Sequence, residues 1–197
     1  MFLRANILKR LMKDAYKKSN FVMADNIKAI YISGGYWEVE IDKEYVPKTI
    51  LAEIMEIAGC LPEMGKRFEV TKDEVKEVEG RDSVHMPMVK RRINVTDIVI
   101  VAKDGVSQRV LQDEDSLDIM LINDVFIDII DNKSIDYDNG ETQAEGPFHD
   151  KLTGIYLWNN VMKFHALHRW DEKHQHITEY LSSIDLNEIP EEKEYAR

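Results

Sequence analysis

Four of the six histidines of this 197-residue chain fall within twelve residues: His165, His168, His174 and His176. Imidazole is the commonest ligand of zinc-like metals, so the cluster raises the possibility of metal-assisted hydrolysis. Spacing qualifies it. On a strand over 161–168, His165 and His168 point to opposite faces, whereas a helix would bring them together. His174 and His176 would share a strand face, but Asp171, Glu172 and Lys173 read as a turn between the pairs. Surface and sheet-edge histidines are the first reading and a metal site the alternative. His85 and His149 each lie close to a proline and read as loop residues.

Carboxylates form the second constellation. Asp113, Glu114, Asp115, Asp118, Asp124, Asp128 and Asp131 could hold a hard cation, yet the calcium-loop spacing with its central glycine is missing. Residues 111–150 contain twelve acids and Lys133 as the only Lys or Arg, so the net charge of the chain, −11, equals that of this segment. A solvated acidic face explains this most simply. The functional alternative is a carboxylate array that imitates DNA phosphates. It would bind a basic protein partner in nucleic-acid metabolism through Asp113, Glu114, Asp115 and Asp118.

Positive charge collects at the start, where residues 1–20 carry six bases and one acid. Arg4, Lys9, Arg10, Lys13 and Lys17 surround an apolar stripe. They read either as a solvated face or as a helix that binds the DNA backbone without reading its sequence. Lys90, Arg91 and Arg92 add a second basic cluster at an expected strand start. The single cysteine, Cys60, excludes an intramolecular disulfide and a cysteine-built zinc site. It follows Gly59 at an expected helix end, where the dipole does not activate a thiol. P-loop, GxGxxG, HExxH and GxSxG patterns are absent, and no cofactor is expected.

These residues must be positioned by elements that the periodicity predicts. Ile7, Leu8, Leu11, Met12, Ala15 and Tyr16 make one helical stripe over 4–18. Two β-rich runs, AIYIS and YWEVEI, flank a turn at Gly34-Gly35. Pro47 opens a second helix with Ile50, Leu51, Ile54, Met55 and Ala58 inward, Glu53 and Glu56 on its outer side, and Gly59 as its end. Residues 66–80 read as a strand with a charged extension. From 86 onward, turn pairs at Asp104-Gly105, Asn123-Asp124, Asn139-Gly140 and Asn159-Asn160 give the rhythm of an antiparallel meander. A turn at Asn123-Asp124 pairs LDIMLI with VFIDII. A turn at Asn159-Asn160 pairs Leu157 with Met162 and Ile155 with Phe164, all on one face.

The expected fold is therefore α+β, with two amphipathic helices packed on an antiparallel sheet and a strand-rich meander in the second half. The expected division is a helix and hairpin unit over 1–82, a β-rich unit over 83–182 and a polar, frayed tail over 183–197, the first two able to form one continuous domain. Forty-four per cent apolar residues support a real core. No run approaches a membrane span, and the start lacks a signal-peptide pattern, so a cytoplasmic location is expected.

The order MFL, RANILKRLMKDAYKK, FVMAD, AIYISGGYWEVEI, PKTILAEIMEIAG, KRFEVT resembles one half-unit of a sliding clamp, the ring-shaped DNA polymerase processivity factor found among phage and bacterial proteins. The resemblance covers about the first 75 residues and rests on element order. It implies a non-enzymatic, phage-like protein that forms a ring-shaped homo-oligomer and turns the bases of its first helix toward DNA. Two departures stand against it: Glu53 and Glu56 on the second helix, and the lack of a matching helix pair in the second half. An acidic inhibitor or adaptor acting through 111–150, and a hydrolase using the 165–176 histidines, are the competing readings.

Overall fold

A computed structural model describes residues 1–88, 90–102, 104–150, 153–169 and 174–187. The expected turn at Asp171, Glu172 and Lys173, and the tail beyond Asn187, lie outside the described residues.

The first helix, α1 (Ala5–Lys17), buries Leu8, Leu11, Met12 and Ala15, the stripe that its 3.6-residue spacing dictates. Three strands follow: β1 (Phe21–Asp25), β2 (Ala29–Ser33) and β3 (Trp37–Asp42). The β2–β3 turn sits one residue later than its sequence suggests. Ser33 lies opposite Glu38, and the Gly34 N–H donates to the Trp37 carbonyl at 3.0 Å, which leaves Gly35 and Tyr36 as the turn. The two glycines have different jobs. Gly35 supplies a φ of +81°, while a Cβ on Gly34 would come within 2.3 Å of the Trp37 indole nitrogen.

Helix α2 (Lys48–Ala58) starts after Pro47 and ends at Gly59, whose N–H donates to the Met55 carbonyl. The charged stretch that follows is a hairpin of β4 (Arg67–Val70) and β5 (Val75–Glu77).

The second half supplies β6 (Arg91–Val101), β7 (Ser107–Asp113) and β8 (Ile119–Asn123), a single-turn helix α3 (Val125–Asp128), then β9 (Glu145–His149), β10 (Gly154–Trp158), β11 (Met162–Leu167) and helix α4 (Gln175–Leu181). Every strand pair is antiparallel. Among the described residues, eleven strands run in the order β5-β4-β1-β2-β3-β11-β10-β9-β6-β7-β8. The last strand in sequence thus pairs with β3, setting His165 opposite Glu38.

Three expected turns of the second half also differ from the structure. VFID is a helical turn and not the return strand of a hairpin, because Phe126 and Ile129, three apart, both reach the core from it. The chain start meets the residues after it: the Arg4 N–H donates to the Ile129 carbonyl and the Asp131 N–H to the Phe2 carbonyl. At Asn139-Gly140 a 3-10 turn stands in place of a hairpin. The β10–β11 register is slipped by two from the expected pairing, with Leu157 opposite Phe164 and Ile155 opposite Ala166. The Asn159 side chain sets this register by accepting the Val161 and Met162 N–H groups. An even slip leaves each side chain on its face, so Ile155, Leu157, Met162 and Phe164 still share the core side.

One large apolar cluster joins the stripe of α1, Ile50 and Ile54 of α2, and the inward residues of β1, β2, β3, β10 and β11. A small second cluster lies on the other face, where Val84 packs on Val22, Ala24 and Tyr31. Val84 belongs to the connection from β5 to β6, whose two ends are far apart in the strand order. The connection is pinned along its way: Arg81 to Glu38, the Val84 N–H to Glu40, and the Lys90 ammonium over the Trp158 ring at 4.1 Å. No helix among the described residues is long and apolar enough to cross a membrane.

Candidate functional site

Inward placement of the α1 stripe forces its polar residues outward. Asn6, Arg10, Lys13 and Lys17 are exposed and follow i, i+4, i+7, i+11, which makes one ridge along the helix. The ridge lies beside α2. Glu53, expected on the outer side of α2, is only 3% exposed and faces α1. Its carboxylate is 3.2 Å from the Lys13 ammonium and 3.9 Å from that of Lys9. Glu56 remains outside, 3.6 Å from Lys13. Glu53 and then Glu56 raise the Lys13 pKa above its ordinary value. The remaining outward residues of α2 include Thr49, Ala52 and Met55.

Arg4 pairs with Asp131 at 3.8 Å and Lys17 with Asp14 at 3.6 Å. Arg10 and Lys18 form no ion pair among the described residues. Both line one groove of about 800 Å³ that runs from α1 to the β6–β7 and β8–α3 turns. Asn20, Tyr36 and His168 also line it, as does Arg169, which is paired with Asp104 at 2.8 Å.

The four acids chosen as a partner surface do not stay together. Asp113 is 1% exposed, at the end of β7, and is not available to a partner. It organises the following turn: Oδ1 accepts the N–H groups of Asp115 and Ser116, and Oδ2 lies 2.7 Å from His149 Nε2. Arg91 stands 3.9 Å from the same oxygen. Burial works to raise the Asp113 pKa, but the two backbone donors and His149 outweigh it and hold the group at about 2. Glu114, Asp115 and Asp118 remain exposed on the turn.

His149, expected in a loop, is therefore a buried residue of β9. His149, with Asp113 behind it, borders a cleft of about 360 Å³ with His168, Thr178 and Ser182. A carboxylate-oriented imidazole is half of a general-base arrangement. The nearby hydroxyls are engaged elsewhere, Ser182 donating to the Thr178 carbonyl and Thr178 to carbonyls of its own helix.

The clustered histidines disperse. His165 is buried on the face opposite the main core, 3.3 Å from Glu38, and stacks on Tyr156 with ring centroids 4.3 Å apart. His168 follows β11 and borders both clefts. His174 precedes α4 and His176 lies on it, exposed, so these two are helical and not strand neighbours. Among the described residues, no three His, Cys, Asp or Glu side chains converge as metal ligands would.

Sequence reasoning missed the network around Glu38. That carboxylate accepts from Tyr31, meets His165 and Arg81, and lies below the ordinary range: burial raises its pKa, while His165, Tyr31 and Arg81 together lower it further. Its partners come from β2, β11 and the β5–β6 connection, so no local spacing marks it.

Compared with models of protein families, with curated proteins and with solved structures, the chain matches none significantly.

Proposed function

We propose that the protein is a non-enzymatic binding protein that holds the phosphate backbone of duplex nucleic acid against its helix layer, in the manner of a clamp. The inward turn of Glu53 supports this reading best. It removes one of the two acids that argued against α2 as a helix beside DNA. What remains outward is the ridge of Arg10, Lys13 and Lys17, next to Glu56 and the neutral Thr49, Ala52 and Met55. Such a surface attracts phosphates through counterion release and carries no base-reading geometry. The acids of 111–150 lie elsewhere in the chain and would disfavour contact through other faces.

Fluorescence anisotropy with a labelled 20-base-pair duplex tests the reading. Affinity is expected to fall steeply with added salt. The double variant Lys13→Glu, Lys17→Glu should lose at least about tenfold in affinity at low salt. Unchanged binding by the double variant, or no binding by the parent protein at low salt, refutes the proposal. A ring-shaped clamp also requires self-association, so light scattering on a sizing column should give a dimer or trimer at both low and high salt. A 23 kDa monomer would exclude a closed ring.

A further inference from the structure

The ridge uses only part of the charge on α1. Lys9, Lys13 and Lys17 each have a carboxylate within 4 Å, whereas Arg10 and Lys18 have none among the described residues. These two unneutralised cations border the same groove, and they are about 12 Å apart along the helix axis. The groove also offers an aromatic face. Tyr36 sits at the tip of the β2–β3 turn, 65% exposed, and lines the groove beside Asn20. An exposed tyrosine at a turn contributes little to folding, and with cations in the same groove it has the composition of a base-stacking platform.

Two polar atoms of the wall add to this. Asn20 Oδ1 and His168 Nδ1 are buried and have no hydrogen-bond partner among the described residues. Leaving such atoms unpaired is unfavourable, and a side chain with no hydrogen bond to lose at that atom can reorient toward a ligand. The cations suit phosphates, the phenol ring suits a base, and the amide and imidazole suit the polar edge of that base.

We propose that the groove between α1 and the β2–β3 turn binds a short single-stranded nucleic-acid segment, with Arg10 and Lys18 on its phosphates and Tyr36 stacked on a base. This rests on the nucleic-acid reading above and shares Arg10 with the ridge, but Lys18, Tyr36 and the rest of the groove lie off the ridge. The ridge would hold a duplex, and the groove would receive the unpaired strand that leaves it.

The test measures anisotropy of fluorescein-labelled oligothymidylate and oligouridylate twelve nucleotides long, alongside the labelled duplex, on the full chain. Tyr36→Ala should weaken single-strand binding about tenfold and leave duplex binding within twofold. Lys18→Glu should do the same, and Tyr36→Phe should keep the parent affinity because it keeps the ring. The tighter of the two oligomers identifies DNA or RNA as the source of the strand. If Tyr36→Ala and Lys18→Glu bind the single strand as the parent does while duplex binding persists, the groove proposal falls and the ridge proposal stands. If the parent binds the single strand but no duplex, the ridge proposal falls alone. If it binds neither at low salt, both fall.

Discussion

Glu53 of α2 lies 3.2 Å from the ammonium of Lys13 on α1, and it is nine-tenths hidden while its partner is 46% exposed. The contact joins the two helices by opposite charge and raises the Lys13 pKa. The buried carboxylate holds two helices together by charge, and it offsets part of the positive charge that Lys9 and Lys13 present outward.

Glu53→Gln therefore separates the two roles. Removing the carboxylate takes the buried partner from both lysines, and unfolding in urea should show a loss of about 1–3 kcal/mol. The same substitution removes a negative charge beside the ridge, so duplex affinity at low salt should rise a few-fold. An affinity that falls with Glu53→Gln would mean that the helix layer does not face nucleic acid.

Asp113 links the turn after β7 to His149. Its pKa in the folded protein is about 2, against an ordinary value of 3.8. A folded pKa below the unfolded one stabilises fully above the unfolded value, and that contribution disappears as pH falls through the folded value. The window is pH 4 down to 2, and the amount is about 2 kcal/mol. In urea titrations across this window, Asp113→Asn should show a flatter loss of stability than the parent. An equal slope in both proteins would show that the carboxylate is not held low.

Val84 anchors the long β5–β6 connection on the face away from the main core and is 3% exposed. Val84→Ala removes two methyl carbons from that contact and should cost about 1–2 kcal/mol. Residues 78–88 should become the first site of cleavage in limited proteolysis, with the sheet left intact. Cleavage that begins elsewhere at the parent rate would show that the connection is held by its polar and cation–π contacts alone.

Gly154 begins β10 where the chain crosses the end of β11. A Cβ there would lie 1.9 Å from the Ala166 carbonyl oxygen, which belongs to the backbone and cannot rotate away. Gly154→Ala should lower stability by about 3 kcal/mol or more and shift the thermal midpoint accordingly. A variant with the parent's midpoint would mean that β10 and β11 separate at this point without loss.

Features that depend on neighbours along the chain were legible in the residues. The stripe of Leu8, Leu11, Met12 and Ala15 made α1 readable, Pro47 and Gly59 bounded α2, and alternation put Ile155, Leu157, Met162 and Phe164 on one face whatever the register. Helix and strand periods are local properties, so they survive a turn misplaced by one or two residues.

Tertiary structure alone decided which polar groups meet. Glu53 and Glu56 share a sequence environment, yet one lies between helices and the other in solvent, because only the neighbouring helix distinguishes the two sides of α2. Asp113 stands in an acidic run with nothing local to separate it from Glu114, and its burial follows from His149 on a strand 36 residues away. Glu38 meets His165 only because the last strand pairs with the third. The groove is of the same kind: Arg10, Tyr36 and His168 are far apart in the chain, and the tertiary fold brings them to one groove. Burial, charge pairing and cavity shape are properties of distance in space, and residue types along a chain carry no measure of that distance.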